Sequence, residues 1–103
     1  MTSLIDGNPW MWVIIDDNPG NEQYVGQEDE QTGVAFIPAF LTKEEALKGY
    51  NLIKRERTRK YEVQAVRFKE LSKDCLDHQF VIFLLDGEGT VLEKIAPGAF
   101  GSN

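Results

Sequence analysis

Apolar and polar positions follow two different periods along this chain, and the changes of period mark its elements. Trp10–Ile15 (WMWVII) is an unbroken apolar run rich in aromatic and β-branched residues, which predicts a buried strand. Asp16-Asp17-Asn18-Pro19-Gly20-Asn21 is dense turn chemistry, with Pro19 pre-setting φ and Gly20 free to take positive φ. Glu22–Gly26 reads as the returning strand of a hairpin, and Glu28–Thr32 as a second polar turn. Gly33–Phe40 (GVAFIPAF) predicts a third strand. Pro38 cannot donate to a ladder, so this strand is expected at an edge or a bend.

The period then becomes helical. Thr42-Lys43-Glu44-Glu45 is a capping box, in which the Thr42 hydroxyl accepts from the Glu45 amide. It predicts a helix from Lys43 to about Arg57, with Ala46, Leu47, Tyr50 and Ile53 facing the sheet. Gly49 inside that helix costs about 1 kcal/mol relative to alanine, which points to a close backbone approach. Tyr61–Phe68 predicts a fourth strand. Lys69–Asp77 predicts a short helix, with Leu71, Cys75 and Leu76 inward. Phe80–Leu85 (FVIFLL) is apolar at every position and is expected centrally, covered on both faces. Asp86-Gly87-Glu88-Gly89 is a hairpin turn leading into Thr90–Ile95. The order β-β-β-α-β-α-β-β, with hairpins at both ends, predicts an α+β fold. Its sheet is expected to be mostly antiparallel or mixed, with five to six strands and both helices on one face.

Length changes this picture little: 103 residues make one domain, with residues 1–9 and 96–103 expected to be mobile ends. The single cysteine, Cys75, allows no internal disulfide, which fits a reducing, cytoplasmic setting. The first nine residues lack the basic and apolar stretches of a secretory signal, and the longest apolar run is far short of the roughly 20 residues a spanning helix needs.

Charge matters more. The net charge is −6 but unevenly spread. Residues 1–42 carry seven acids and no Lys or Arg, residues 43–60 are net +4, and residues 61–103 are net −3. Nucleic acid is therefore an unfavoured partner, and so is an anionic membrane surface. Lys54, Arg55, Arg57, Arg59 and Lys60 place five bases in seven residues. Such a run can grip an acidic partner or an anion, and equally suits the C-terminal end of a helix, where the dipole favours cations. Trp10 and Trp12 share one face of their strand and serve either as core or as interface anchors.

Candidate chemistry is sparse. Cys75 and His78 are the only thiol and the only imidazole, and neighbouring Asp74 and Asp77 disfavour a thiolate. Two such ligands fall short of a zinc site. Asp16–Glu22 resembles a calcium loop only superficially, with glycine one place early and Gln27 where a bidentate glutamate belongs. No glycine-rich phosphate loop is present, and no cofactor is implied.

The stretch Phe36-Ile37-Pro38-Ala39-Phe40-Leu41-Thr42-Lys43-Glu44-Glu45-Ala46 is similar to a motif of SseB-like domains, named for enhanced serine sensitivity, and of related small bacterial families of unknown function. The resemblance covers these residues alone. It implies a small bacterial α+β domain and brings no catalytic residue with it.

These features together lead to the expectation of a non-enzymatic protein-interaction domain using oppositely charged surface segments, with a partner protein or a second copy as its target. The alternative is a small-molecule or anion binder, or a minor enzyme, with a pocket beside the first helix and Arg57 or Arg59 as ligands. A third possibility is a homodimer that shields the edge strand containing Pro38.

Overall fold

The computed structural model describes residues 5, 7–17, 22–53 and 59–96. The elements are β1 (Trp10–Asp16), β2 (Gln23–Tyr24), β3 (Gln27–Glu28), β4 (Ala35–Phe40), α1 (Lys43–Tyr50), β5 (Tyr61–Arg67), α2 (Phe68–His78), β6 (Val81–Leu85) and β7 (Val91–Ile95). They form one mixed seven-stranded sheet with two helices, the α+β class that the sequence predicts, with one strand more than expected. The expected strand Glu22–Gly26 shortens to β2, and the extra strand β3 forms at Gln27–Glu28, where a polar turn is expected to begin. β2 and β3 flank Val25 and Gly26. Gly26 passes so close to the Phe80 ring that a Cβ there would lie 2.8 Å from a ring carbon. Val25 is buried, and its amide donates to the Ile14 carbonyl at 2.9 Å.

The long strands lie in the order β5, β1, β4, β6, β7. Only the β4–β6 pairing is parallel. β1 and β5 pair over seven consecutive residues, from Trp10 opposite Arg67 to Asp16 opposite Tyr61. β1 and β4 meet only at Trp12–Phe40 and Val13–Ala39 and then separate. The chain from Gln23 to Glu28 fills the gap, with β2 on β1 and β3 on β4. This wedge explains Pro38. Of the two expectations for this strand, an edge or a bend, the edge is not met: β4 is interior, so the homodimer that would shield it loses its basis. Phe36 is the last β4 residue paired with β3, and Ala39 the first paired with β1. Pro38 falls in the break between them, where a residue lacking an N–H is tolerated.

The helices lie on opposite faces of the sheet, not on one. Alternate β1 residues show this directly. Met11, Val13 and Ile15 join a core cluster with Phe68, Leu71 and Cys75 of α2. Ile14 joins a second cluster with Ala46 and Phe40, against which Trp12 packs. The cause is topological. The β4–α1–β5 crossover passes β1 in one direction along the sheet. The β5–α2–β6 crossover returns past β1 and β4. Crossovers between parallel strands keep one hand, so reversing direction exchanges the face. β6 is central, as its composition predicts: Ile82 and Leu84 enter the first cluster, Phe83 and Leu85 the second.

Helix α1 begins at the expected cap, with the Thr42 hydroxyl 3.1 Å from the Glu45 amide. It ends at Tyr50 rather than near Arg57. Past Gly49 the amides of Leu52 and Ile53 bond three residues back, tightening the chain and dropping Ile53 into the core. Gly49 lies against Phe40, with a Cβ there only 2.5 Å from the ring. This contact sets the rotation of the helix, so Leu47 is 50% exposed instead of facing the sheet. Leu76 of α2, expected inward, is likewise exposed. The first amides of α2 are satisfied from afar, since Arg67 at the N-cap makes no side-chain cap. The Asn8 carboxamide oxygen accepts from Lys69 at 2.8 Å, and the Pro9 carbonyl from Phe68 at 2.9 Å. Ile5 is buried, so the segment before β1 is anchored at these points.

Candidate functional site

The basic run divides. Lys54, Arg55 and Arg57 lie outside the described residues. Arg59 is described, and its guanidinium bonds Asp16 Oδ2 at 2.5 Å. Asp16 closes β1, and its Oδ1 is buried with no hydrogen-bond partner among the described residues. Arg59 therefore neutralises an acid of its own chain. Lys60 is exposed, and its carbonyl accepts from the Asp17 amide, extending the β1–β5 ladder by one pair.

The two tryptophans share a face but not an environment. Trp12 is half-buried beside the α1-side core, with the Lys43 ammonium 5.9 Å from its ring centroid. Trp10, at the start of β1, is 54% exposed, and the Arg67 guanidinium opposite it stacks 4.6 Å from its ring centroid. Cys75 and His78, the lone thiol and imidazole, do not form a reactive pair. Cys75 is buried, and burial followed by the Asp74 charge pushes its thiol up to about 12. His78 is exposed, and its Nδ1 lies 2.9 Å from the Asp74 carbonyl of its own helix.

A concavity lies elsewhere, beside α2, at a place that neither composition nor motif indicates. It is a groove of about 630 Å³ between α2, the outer strands β5 and β1, and the wedge strand β2. Val13, Ile15, Val66 and Phe80 supply its apolar surface, and Glu22, Glu70 and Asp74 its charges. Among the described residues no Lys or Arg lines it, and His78 does. Its sequence origin is the alternation in β1 and β5. Register sets Val13 beside Gln64 and Met11 beside Val66 on the same face, and α2 covers this surface only in part. Tyr24 on β2 closes one wall. Its hydroxyl donates to Asp74 Oδ2 at 2.7 Å, tying the wedge to the helix. Burial, the bond to Asp74 and nearby acids hold the Tyr24 phenol above its ordinary range, so it remains a donor. Tyr24 and Phe80 also border a second depression, where Asp16, Glu28 and Glu30 accompany Arg59. Among the described residues no group of acids, histidines or cysteine has the arrangement of a metal site, and no helix is long and apolar enough to cross a membrane.

The fold and groove define an α+β domain with an acid-rimmed, apolar-floored surface channel. No protein-family model, curated protein or solved structure matches the chain.

Proposed function

We propose that the protein is a non-enzymatic, cytoplasmic interaction domain, and that the groove beside α2 receives a cationic, partly apolar segment of a partner protein. The observation that carries this reading is the lining: Glu22, Glu70 and Asp74 around an apolar floor, with no Lys or Arg among the described residues that line it. A channel with one sign of charge and low-dielectric walls concentrates ligands of the opposite sign. Aromatic and aliphatic floor residues then supply contact area in the absence of catalytic groups. The neutral, buried Cys75 thiol and the engagement of His78 with its own helix support binding over catalysis. The absence of a disulfide supports the cytoplasmic setting.

The test is a nitrogen-15 NMR titration of the full chain. The probes are a panel of short peptides interleaving arginine with leucine or phenylalanine, and the same panel with glutamate for arginine. Shifts confined to Tyr24, Gln64, Val66, Glu70 and Asp74 with the arginine panel, reduced at least tenfold in affinity by Glu70→Lys, are the expected result. Equal response to both panels, or shifts centred elsewhere, would overturn the reading.

A further inference from the structure

The two outer edges of the sheet are not alike. β7 is five residues long, carries Lys94, and meets β6 through a register shift at Leu84/Leu85. Short length, lysine and bulges are the usual guards against edge-to-edge pairing. β5 has neither proline nor lysine. It holds seven consecutive pairs with β1 without a shift, and no described strand lies on its other side.

Which backbone groups of this edge point away from β1 follows from the register. The Asp17 amide bonds the Lys60 carbonyl, and the Phe68 amide the Pro9 carbonyl. In an antiparallel ladder hydrogen-bonded pairs alternate with non-bonded ones. Pairs 9–68, 11–66, 13–64, 15–62 and 17–60 are therefore the bonded set. Glu62, Gln64 and Val66 thus direct their backbone groups at β1. Val63, Ala65 and Arg67 direct theirs outward. Gln64 is the midpoint of β5, and Val63 and Ala65 stand symmetrically about it.

We propose that β5 pairs antiparallel with β5 of a second copy across a two-fold axis at Gln64, making one continuous sheet. In this register Val63 meets Ala65 of the partner copy and the reverse, so both outward pairs bond at once. These two pairs give about four backbone hydrogen bonds. Gln64 meets its own copy in a non-bonded pair, and Glu62 meets Val66, so no like charges oppose each other. A shift by two residues in either direction carries the pairing past one end of β5.

The flank favours the same occupant. Lys48 and Leu52 border Gly87 and Gly89 of the β6–β7 turn. The opposite side of α1, one helical turn apart at Lys43 and Leu47, therefore faces the β5 edge. Lys43 lies over Trp12 there, and Leu47 is exposed. Val63 and exposed Ala65 lie on this same face of β5. A two-fold perpendicular to the sheet brings two α1 flanks together above the new strand pair, which is the self-complementary surface an isologous interface needs. It also sets both α2-side grooves on one face of the joined sheet.

The first measurement is light scattering of the full chain over a wide concentration range, with hydrogen exchange read by NMR at the top of it. The mass should rise from 11.7 kDa towards twice that value. The amides of Val63 and Ala65 should become as protected as those of Gln64 and Val66. Ala65→Lys, at an exposed position, should stay folded by circular dichroism, remain monomeric, and leave amides 63 and 65 fast. Gln64→Cys should form a covalent dimer under mild oxidation, because non-bonded antiparallel pairs place Cα atoms about 4.5 Å apart, within disulfide reach. Glu62→Cys should not. A monomeric mass throughout, or a dimer that Ala65→Lys leaves intact, would overturn the proposal.

Discussion

The two faces of the sheet are built by different means. On the α1 side a glycine lets a helix backbone rest on an aromatic ring. Gly49 sits on fully buried Phe40, and Phe36 stacks on Phe83 at 4.1 Å. On the α2 side the helix inserts Phe68, Leu71 and Cys75 as wedges and leaves a groove beside them. The first arrangement is close-packed and intolerant of added atoms. The second keeps an accessible concave surface, held in shape by the Tyr24–Asp74 bond. Backbone-on-ring contact excludes a pocket, whereas side-chain-on-sheet contact leaves room for one.

Several substitutions break or sharpen this contrast. Phe40→Ala removes the ring beneath α1 and should cost about 3–5 kcal/mol by urea denaturation, against about 1 kcal/mol for Val66→Ala in the groove wall. Equal costs would abolish the distinction. Gly49→Ala gains about 1 kcal/mol of helix propensity. The added methyl meets a buried ring, however, and overpacking costs about 1–3 kcal/mol, so the net change should be destabilising. A more stable variant would show that α1 is not tightly seated. Tyr24→Phe should cost about 1–2 kcal/mol by leaving the Asp74 carboxylate without its donor, and should raise exchange of the β2 amides before those of β1.

A further effect appears only in alkali. The folded state holds the Cys75 thiol protonated up to about 12, against 9.0 for the free group. This contribution is complete below pH 9 and is lost as pH rises towards 12. Tyr24 acts in the same direction above its ordinary value of 10.0. Melting temperature should therefore fall from pH 9 upward, and less steeply in Cys75→Ala. The smallest change belongs to Glu70→Gln on the groove rim, within about 0.5 kcal/mol of the native protein, since Glu70 is exposed.

Much of the fold was legible where local chemistry dictates local structure. The Thr42–Glu45 box, the all-apolar β6 and the close approach at Gly49 follow from residue type and spacing. Long-range pairing was not legible in the same way. Nothing local to GVAFIPAF reveals that β3 will pair with the chain before Pro38 and β1 with the chain after it, so the proline reads as an edge or a bend. Helix placement followed the direction of crossovers, which strand order decides and periodicity does not. The groove escaped notice for a similar reason. Its acids come from β2 and α2, about fifty residues apart, and look unremarkable singly. The basic run drew attention because its charges are adjacent in sequence, yet Arg59 is bonded to Asp16 across the strand pair. The signal that would have pointed to the groove is Gln64, a polar residue in register with buried Val13.

The pairing of the first long strand, β1, with the third, β5, also has a consequence during synthesis. Trp10 pairs with Arg67, and Asp16 with Tyr61. At roughly 5–20 residues per second, Arg67 is added roughly 3–11 s after Trp10. Throughout that interval the most apolar segment of the N-terminal half has emerged, or is emerging, without the neighbour that completes its ladder. A nascent chain of this protein therefore carries WMWVII as a sticky, half-finished edge until Arg67 is made. Its yield in the cell should depend on chaperone capacity more than the small size of the finished domain suggests.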